Sequence, residues 1–292
     1  MSRDFERTLG RFIADPNPGK AALARTGIEW SKNWRQAFGE LSLEPVAHIT
    51  PAQPQVNKAK EVKPEAAETE AQKILKQAVG EYTKGPLSPK IVTRFWQAKF
   101  NADGEETGLQ LQVPECDWSA TDIARPMVDR LGNEVEGMMV YVPREMTLPL
   151  LDKLYNKDSL PWWFTAREDT SVIDSYDTLG GWVKMHAVID APNRNINQAQ
   201  AEAFAQEQGY LGGRLRTYIL ASQASRDLTG KFFDQWDKDK SHTTSGLFGS
   251  LHNELAVDAY YFYFGSLSVS DCRAPEMAFR QHGWRFEEVK KA

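Results

Sequence analysis

The stretch "AYYFYFGSLSVS", residues 259–270, decides how the C-terminal part of this chain is read. Residues alternate on both sides of Gly265-Ser266. Side chains of a strand point to its two faces in turn, so the pattern predicts a β-hairpin. Gly265-Ser266 suits a two-residue type II′ turn, whose first position needs a positive φ. Such a loop sets the register. It places Phe264 opposite Leu267, Tyr263 opposite Ser268, Phe262 opposite Val269, and Tyr261 opposite Ser270. One face then holds Phe264, Leu267, Phe262 and Val269, with Tyr260 further along, and is the expected core. The other face holds Tyr261, Tyr263, Ser268 and Ser270. Tyrosine offers a large contact area with a polar tip at low entropic cost, and serine adds small hydrogen-bonding groups, so this is the composition of a binding face. The alternative for the same tyrosines is burial beneath the preceding polar stretch, "DKDKSHTTSGLFGS" (237–250).

Working outward, the chain has 292 residues, 41% of them hydrophobic and 26% charged, which supplies material for a sizeable core. The formal charge of −5 does not suit a nucleic-acid binder. Nucleic acid is therefore not an expected partner, although "KIVTRFWQAKF" (90–100) interleaves Lys90, Arg94 and Lys99 with Phe95 and Trp96. No run approaches the roughly 18 apolar residues of a membrane span, and the start, "MSRDFERTLGRF", lacks a signal-peptide core. A cytoplasmic or virion-associated location is the expectation. Cys116 and Cys272 match no metal spacing and are expected to be free thiols.

The order of patterns predicts an α+β protein in four parts. Residues 1–43 form a helical segment with Ile28, Trp30, Trp34 and Phe38 along one face, and 44–64, rich in proline, form a linker. Residues 65–175 combine a helix from Pro64 to Lys84 with a β-rich adaptor region. In that region "KIVTRFWQAKF", "NADG" and "EETGLQLQVPE" (90–115) read as a hairpin, "EGMMVYVP" as a strand and "TLPLLDKLY" as a short helix. Residues 176–292 run strand, helix, helix, long loop, hairpin, closing strand. The first helix is capped by Asn195 or Asn197 and ended by Gly209, and the second is ended by Gly230.

That last order, with an aromatic strand "AYYFYF", a "GS" turn, "LSVS", the segment "DCRAPEMAFRQ" and a closing Gly283-Trp284-Arg285, resembles the C-type lectin fold. The resemblance is to its bacterial and phage branch, which includes formylglycine-generating-enzyme-like domains and the variable proteins of diversity-generating retroelements. Where that branch often has a Leu-Pro-Thr-like opening to its second helix, this chain has Leu215-Arg216-Thr217. The resemblance covers roughly the last 110 residues and implies a compact core whose loops and last strands form a ligand-binding face. The contacts it implies are Tyr261, Tyr263, Ser268, Ser270, His252, Asn253 and Asp258, with a protein or a small polar ligand as partner.

No cofactor or metal is expected. "DKDKSHTTS" places oxygen-bearing side chains at alternate positions, but His242 and Phe248 stand where a calcium loop needs Gly and Glu. No paired histidines, nucleophile elbow or phosphate loop occurs. The expected function is non-enzymatic recognition through the Tyr/Ser face. The alternatives are a structural or assembly protein of a phage or mobile element, using the same face to form a homo-oligomer, and an enzyme with dispersed site residues and a polar pocket away from the hairpin.

Overall fold

The computed structural model describes residues 68–155, 163–164, 173–174, 180–236, 243–252, 254–262, 265–271 and 275–290. The segment and linker expected over 1–43 and 44–64 lie outside them. Ala67–Ala292 forms one unit. The chain enters it through α1 (Glu70–Lys84), begun by a capping box in which Thr69 and Gln72 each satisfy the other's backbone N–H. Next is α2 (Pro89–Gly104), where Ser88 accepts from Ile91 N and Pro89 occupies the first turn. The hairpin expected over 90–115 is thus corrected to a helix in its first half. Val92, Phe95, Trp96, Ala98, Lys99 and Phe100 are all buried on it, at the 3–4-residue spacing of a helix face. Trp96 Nε1 donates to Met139 O at 2.8 Å. Lys99 is buried between Asp227 (2.6 Å) and Asp103 (3.1 Å). Burial would lower its pKa, but the two carboxylates raise it. With Phe95, Trp96 and Lys99 inside, the pattern that hinted at single-strand binding is a core-facing helix.

Two sheets follow. The smaller contains β3 (Gly137–Val142), β6 (Gly181–His186), β13 (Phe286–Val289) and β7 (Leu211–Gly212), antiparallel in that order. It joins residues on both sides of position 175, so 65–175 and 176–292 are not separate domains. The larger runs β12 (His282–Trp284), β9 (Thr244–His252), β10 (Leu255–Phe262), β11 (Leu267–Asp271) and β4 (Trp163–Phe164), with β5 (Ile173–Asp174) on β9 and β8 (Gln235–Trp236) on β10. Short helix α3 (Ala120–Ala124) packs on β3, helix α4 (Leu148–Tyr155) packs on α2, and the ribbon β1 (Met127–Val128)–β2 (Glu134–Val135) lies beside the end of β6, where His186 Nε2 faces Val128 O. Helix α5 (Gln198–Gln208) begins at Asn197 and ends at Gly209 (φ 72°), as expected. Helix α6 (Leu215–Thr229) ends at Gly230 (φ 79°).

Helix α6 is buried from Leu215 through Ser225, save Arg216, because it packs against strands of both sheets. The chain passes from large sheet to small through one residue, Arg285, between Trp284 of β12 and Phe286 of β13. Arg285 is fully buried and pairs with Asp234 at 3.0 Å. It also donates to the carbonyls of His186, Val188 and Ile189. A second buried pair, Arg214–Glu287 at 2.8 Å, ties the start of α6 to β13.

Candidate functional site

The hairpin forms, but its register differs from expectation. Tyr261 lies opposite Leu267, Tyr260 opposite Ser268, Ala259 opposite Val269 and Asp258 opposite Ser270. Phe262 N donates to Ser266 O at 2.8 Å and Gly265 N to Phe262 O at 2.9 Å, with Gly265 at φ 91°. The loop therefore holds three residues, with glycine at the last, left-handed position, where a two-residue loop was expected. Changing loop length from even to odd reverses the face of one strand relative to the other. Leu267 and Val269 point into the core as expected, and Tyr261, not Phe262, joins them.

Tyr261 is thus corrected from ligand contact to core residue. It is fully buried, stacked on Phe232 at 4.5 Å and beside Tyr218 at 6.1 Å. Burial raises its phenol above the usual range. Gln223 and Ser222 pull the other way, but neither completes a hydrogen bond to the hydroxyl, which has no partner. Ser268, Ser270 and Asp258 stand on the opposite, half-buried face. Tyr263, Phe264 and Asn253 lie outside the described residues, as does the side chain of His252, whose backbone ends β9.

The outward face carries Asp258, Tyr260 and Phe262 on β10 against Ser268 and Ser270 on β11. Phe262 meets Tyr260 at 5.2 Å and Trp236 of β8 at 5.5 Å. Trp236 is 38% exposed, so the aromatic row reaches solvent at that end. At the other end His282 Nε2 lies 2.8 Å from Asp258 Oδ1. The strand between them presents Gly246 opposite Asp258, where a Cβ would come within 2.8 Å of the His282 ring and 2.5 Å of the Trp284 ring. The absent side chain is what lets His282 span β9. A hydrolytic triad needs histidine between the acid and the hydroxyl. Here Asp258 stands in the middle, with Ser270 on its far side, so the row has the wrong order for a nucleophile relay. Sequence reasoning assigned Tyr260 and Phe262 to the core and did not single out Trp236 or His282. The loop parity and Gly246 were the signals that could have placed them.

Of the stretch with alternating oxygen-bearing side chains, Asp237, Asp239, Ser241 and His242 lie outside the described residues. Thr243 and Ser245, from the stretch of alternating oxygen-bearing side chains, each donate to Asp234 at 2.5 Å. Among the described residues no cluster of His, Cys, Asp or Glu could hold a metal ion. No helix among them is long and apolar enough to cross a membrane. Cys116 is a buried free thiol, pushed up to about 11 chiefly by burial, and Cys272 lies outside the described residues. His186 is buried; its Nδ1 accepts from Phe286 N at 3.3 Å and its Nε2 faces Val128 O at 3.4 Å. Burial, and then the Arg285 charge, lower its pKa from 6.5 to about 3. The unfolded chain therefore binds a proton there that the folded protein does not. This stability is full above pH 6.5 and is lost as pH falls toward 3. The expected result is a decline in urea midpoint already between about pH 6.5 and 5, above the usual carboxylate range. His186→Asn, which keeps an acceptor for Phe286 N, should flatten it; an unchanged slope in that variant would assign the decline elsewhere.

No protein-family model, curated protein or solved structure matches this chain.

Proposed function

We propose that this is a non-enzymatic recognition protein that binds a protein or a small polar ligand through the outward face of β10 and β11. One observation carries the reading: Tyr260, Phe262, Ser268 and Ser270 share a half-buried face whose reverse side, Ala259, Tyr261, Leu267 and Val269, is packed core. A rigid sheet then holds aromatic and hydroxyl side chains together on one face, and rigid aromatic anchors lose little entropy on binding. The resemblance to C-type-lectin-like variable proteins supports the same face, with Tyr260 and Phe262 replacing Tyr261 in the contact set. If the gene is diversified by a retroelement, a reverse transcriptase and a near-copy of the region encoding this face lie beside it.

The test uses a displayed random-peptide library and a glycan array. Ligands selected on the wild-type protein are expected to lose about tenfold or more in affinity on Tyr260→Ala, a change of about 1.4 kcal/mol. Leu131→Ala, at a 68% exposed position in the β1–β2 turn, should leave them unchanged. Equal binding to wild type and Tyr260→Ala removes this face from recognition. Self-association by light scattering that Tyr260→Ala abolishes would instead make the face an oligomer interface.

A further inference from the structure

The outward face of β10 and β11 carries a chemical bias beyond its aromatic row. Asp258, Tyr260 and Phe262 follow one another at every second position of β10, and Ser270 and Ser268 of β11 lie opposite the first two. Residues two apart on a strand stand about 6–7 Å apart, and directly opposite residues about 5 Å apart. Asp258, Tyr260, Ser268 and Ser270 are therefore the corners of one small patch. Among the described residues of this face there is one carboxylate, Asp258, and no lysine or arginine.

The Asp258 carboxylate is half committed. Its Oδ1 accepts from His282 Nε2 at 2.8 Å, and the His282 ring stands edge-on to Trp284 at 4.8 Å. Oδ2 meets no donor among the described residues, and the hydroxyls of Ser268 and Ser270 have no partner among them either. None of these three oxygens is among the enclosed, unpaired polar atoms of the protein, and the Asp258 side chain is 16% exposed. They are open to solvent on the half-buried face that Tyr260 shares.

The patch thus offers a negative charge, two hydroxyl acceptors and the ring of Tyr260, continued by Phe262 and, at the solvent end, by Trp236. Its complement is a donor that carries positive charge. An anion would be repelled by Asp258. An ammonium group would satisfy Asp258 but has no plane to lay on a ring. A guanidinium stacks its face on an aromatic ring while its five N–H groups point outward in the plane, toward acceptors spread around that ring.

We propose that this face takes an arginine side chain of a protein partner, its guanidinium stacked on Tyr260 and donating to Asp258 Oδ2 and to the hydroxyls of Ser268 and Ser270. The charge-assisted contact to Asp258 is the strongest of these. The formal charge of −5 on the whole chain favours a partner of the same positive sign. The proposal rests on the reading of this face as the recognition surface and adds the chemistry of what is recognised.

The test titrates N-acetyl-arginine amide into the full chain labelled with ¹⁵N-serine. The Ser268 and Ser270 amide resonances are identified by their loss in Ser268→Ala and Ser270→Ala. Both are expected to shift saturably. N-acetyl-citrulline amide, of the same shape but uncharged, should bind about tenfold or more weakly, and N-acetyl-lysine amide more weakly than the arginine compound. Asp258→Asn, which keeps an acceptor for His282, should weaken the arginine amide about tenfold or more; the citrulline comparison gives the same reading on the unaltered protein. Absence of a saturable shift with the arginine amide overturns the proposal, and so does equal binding of the citrulline or lysine compound. Either result beside a library-selected ligand that still needs Tyr260 leaves the face as the recognition surface and removes arginine as its target. Either result with no Tyr260-dependent ligand removes both.

Discussion

Asp234→Ala is expected to destabilise the protein by about 3–5 kcal/mol, because it strands a buried guanidinium without its counter-charge. Both partners of the pair are fully buried. Asp234 Oδ2 accepts from Arg285 Nη2 at 3.0 Å, from Arg285 Nε at 3.2 Å and from the Ser245 hydroxyl at 2.5 Å. Oδ1 accepts from Ala191 N at 2.7 Å and from Thr243 at 2.5 Å. The guanidinium also lies over the Phe233 ring at 4.2 Å, which closes that side to any replacement for the carboxylate. Asp234 itself sits at φ 48°, a left-handed conformation that Asp tolerates better than Ala does, which adds to the cost. The two contributions separate by substitution. Asp234→Gly relieves the backbone but not the charge, and should remain strongly destabilised. Pairing Asp234→Ala with Arg285→Met should cost less than the sum of the single changes, since removing both charges removes the stranded one. Urea unfolding of these variants measures the effect. A loss under about 1 kcal/mol for Asp234→Ala would mean that the junction between the sheets does not depend on this pair.

What the chain declares locally, it folds as read. The Asn197 cap, the glycines at 209 and 230 and the short helix at 148–155 each depend on a few adjacent residues, and each is in place. The failures come where local signals compete. In residues 90–100, β-branched and aromatic residues argued for a strand, while Ser88-Pro89 and the 3–4-residue spacing argued for a helix, and the packing of Phe95, Trp96 and Phe100 decided for the helix. The pair that closes one end of the candidate face was not legible because the relation that unites it is long-range: His282 and Asp258 meet across 24 positions. No spacing rule reaches that far. The aromatic hairpin lies between these cases. Its existence follows from alternation, but which of its faces is core turns on whether the loop holds two residues or three, and "GS" is compatible with either.

That parity gives the second large expected effect. Tyr261→Ala should cost about 3–5 kcal/mol, the loss for a large aromatic truncated in a packed core. Tyr260→Ala, one residue away on the outward face, should cost no more than about 1 kcal/mol. Under the two-residue register the order would be reversed, so the comparison tests the register directly. The Tyr261 ring is held by Phe232, nearly parallel at an interplanar angle of 3°, and by Tyr218, and its removal opens a cavity between α6 and the large sheet. Its hydroxyl has no partner, so Tyr261→Phe should be neutral or slightly stabilising, since it deletes a desolvated polar group while keeping the ring. A Tyr261→Phe loss comparable to that of Tyr261→Ala would show that the hydroxyl, not the ring, secures the strand. The functional consequence follows from the same geometry. Because Tyr261 anchors the strand from beneath, substitutions at Tyr260, Ser268 and Ser270 can change what the outward face presents while the hairpin stays in register.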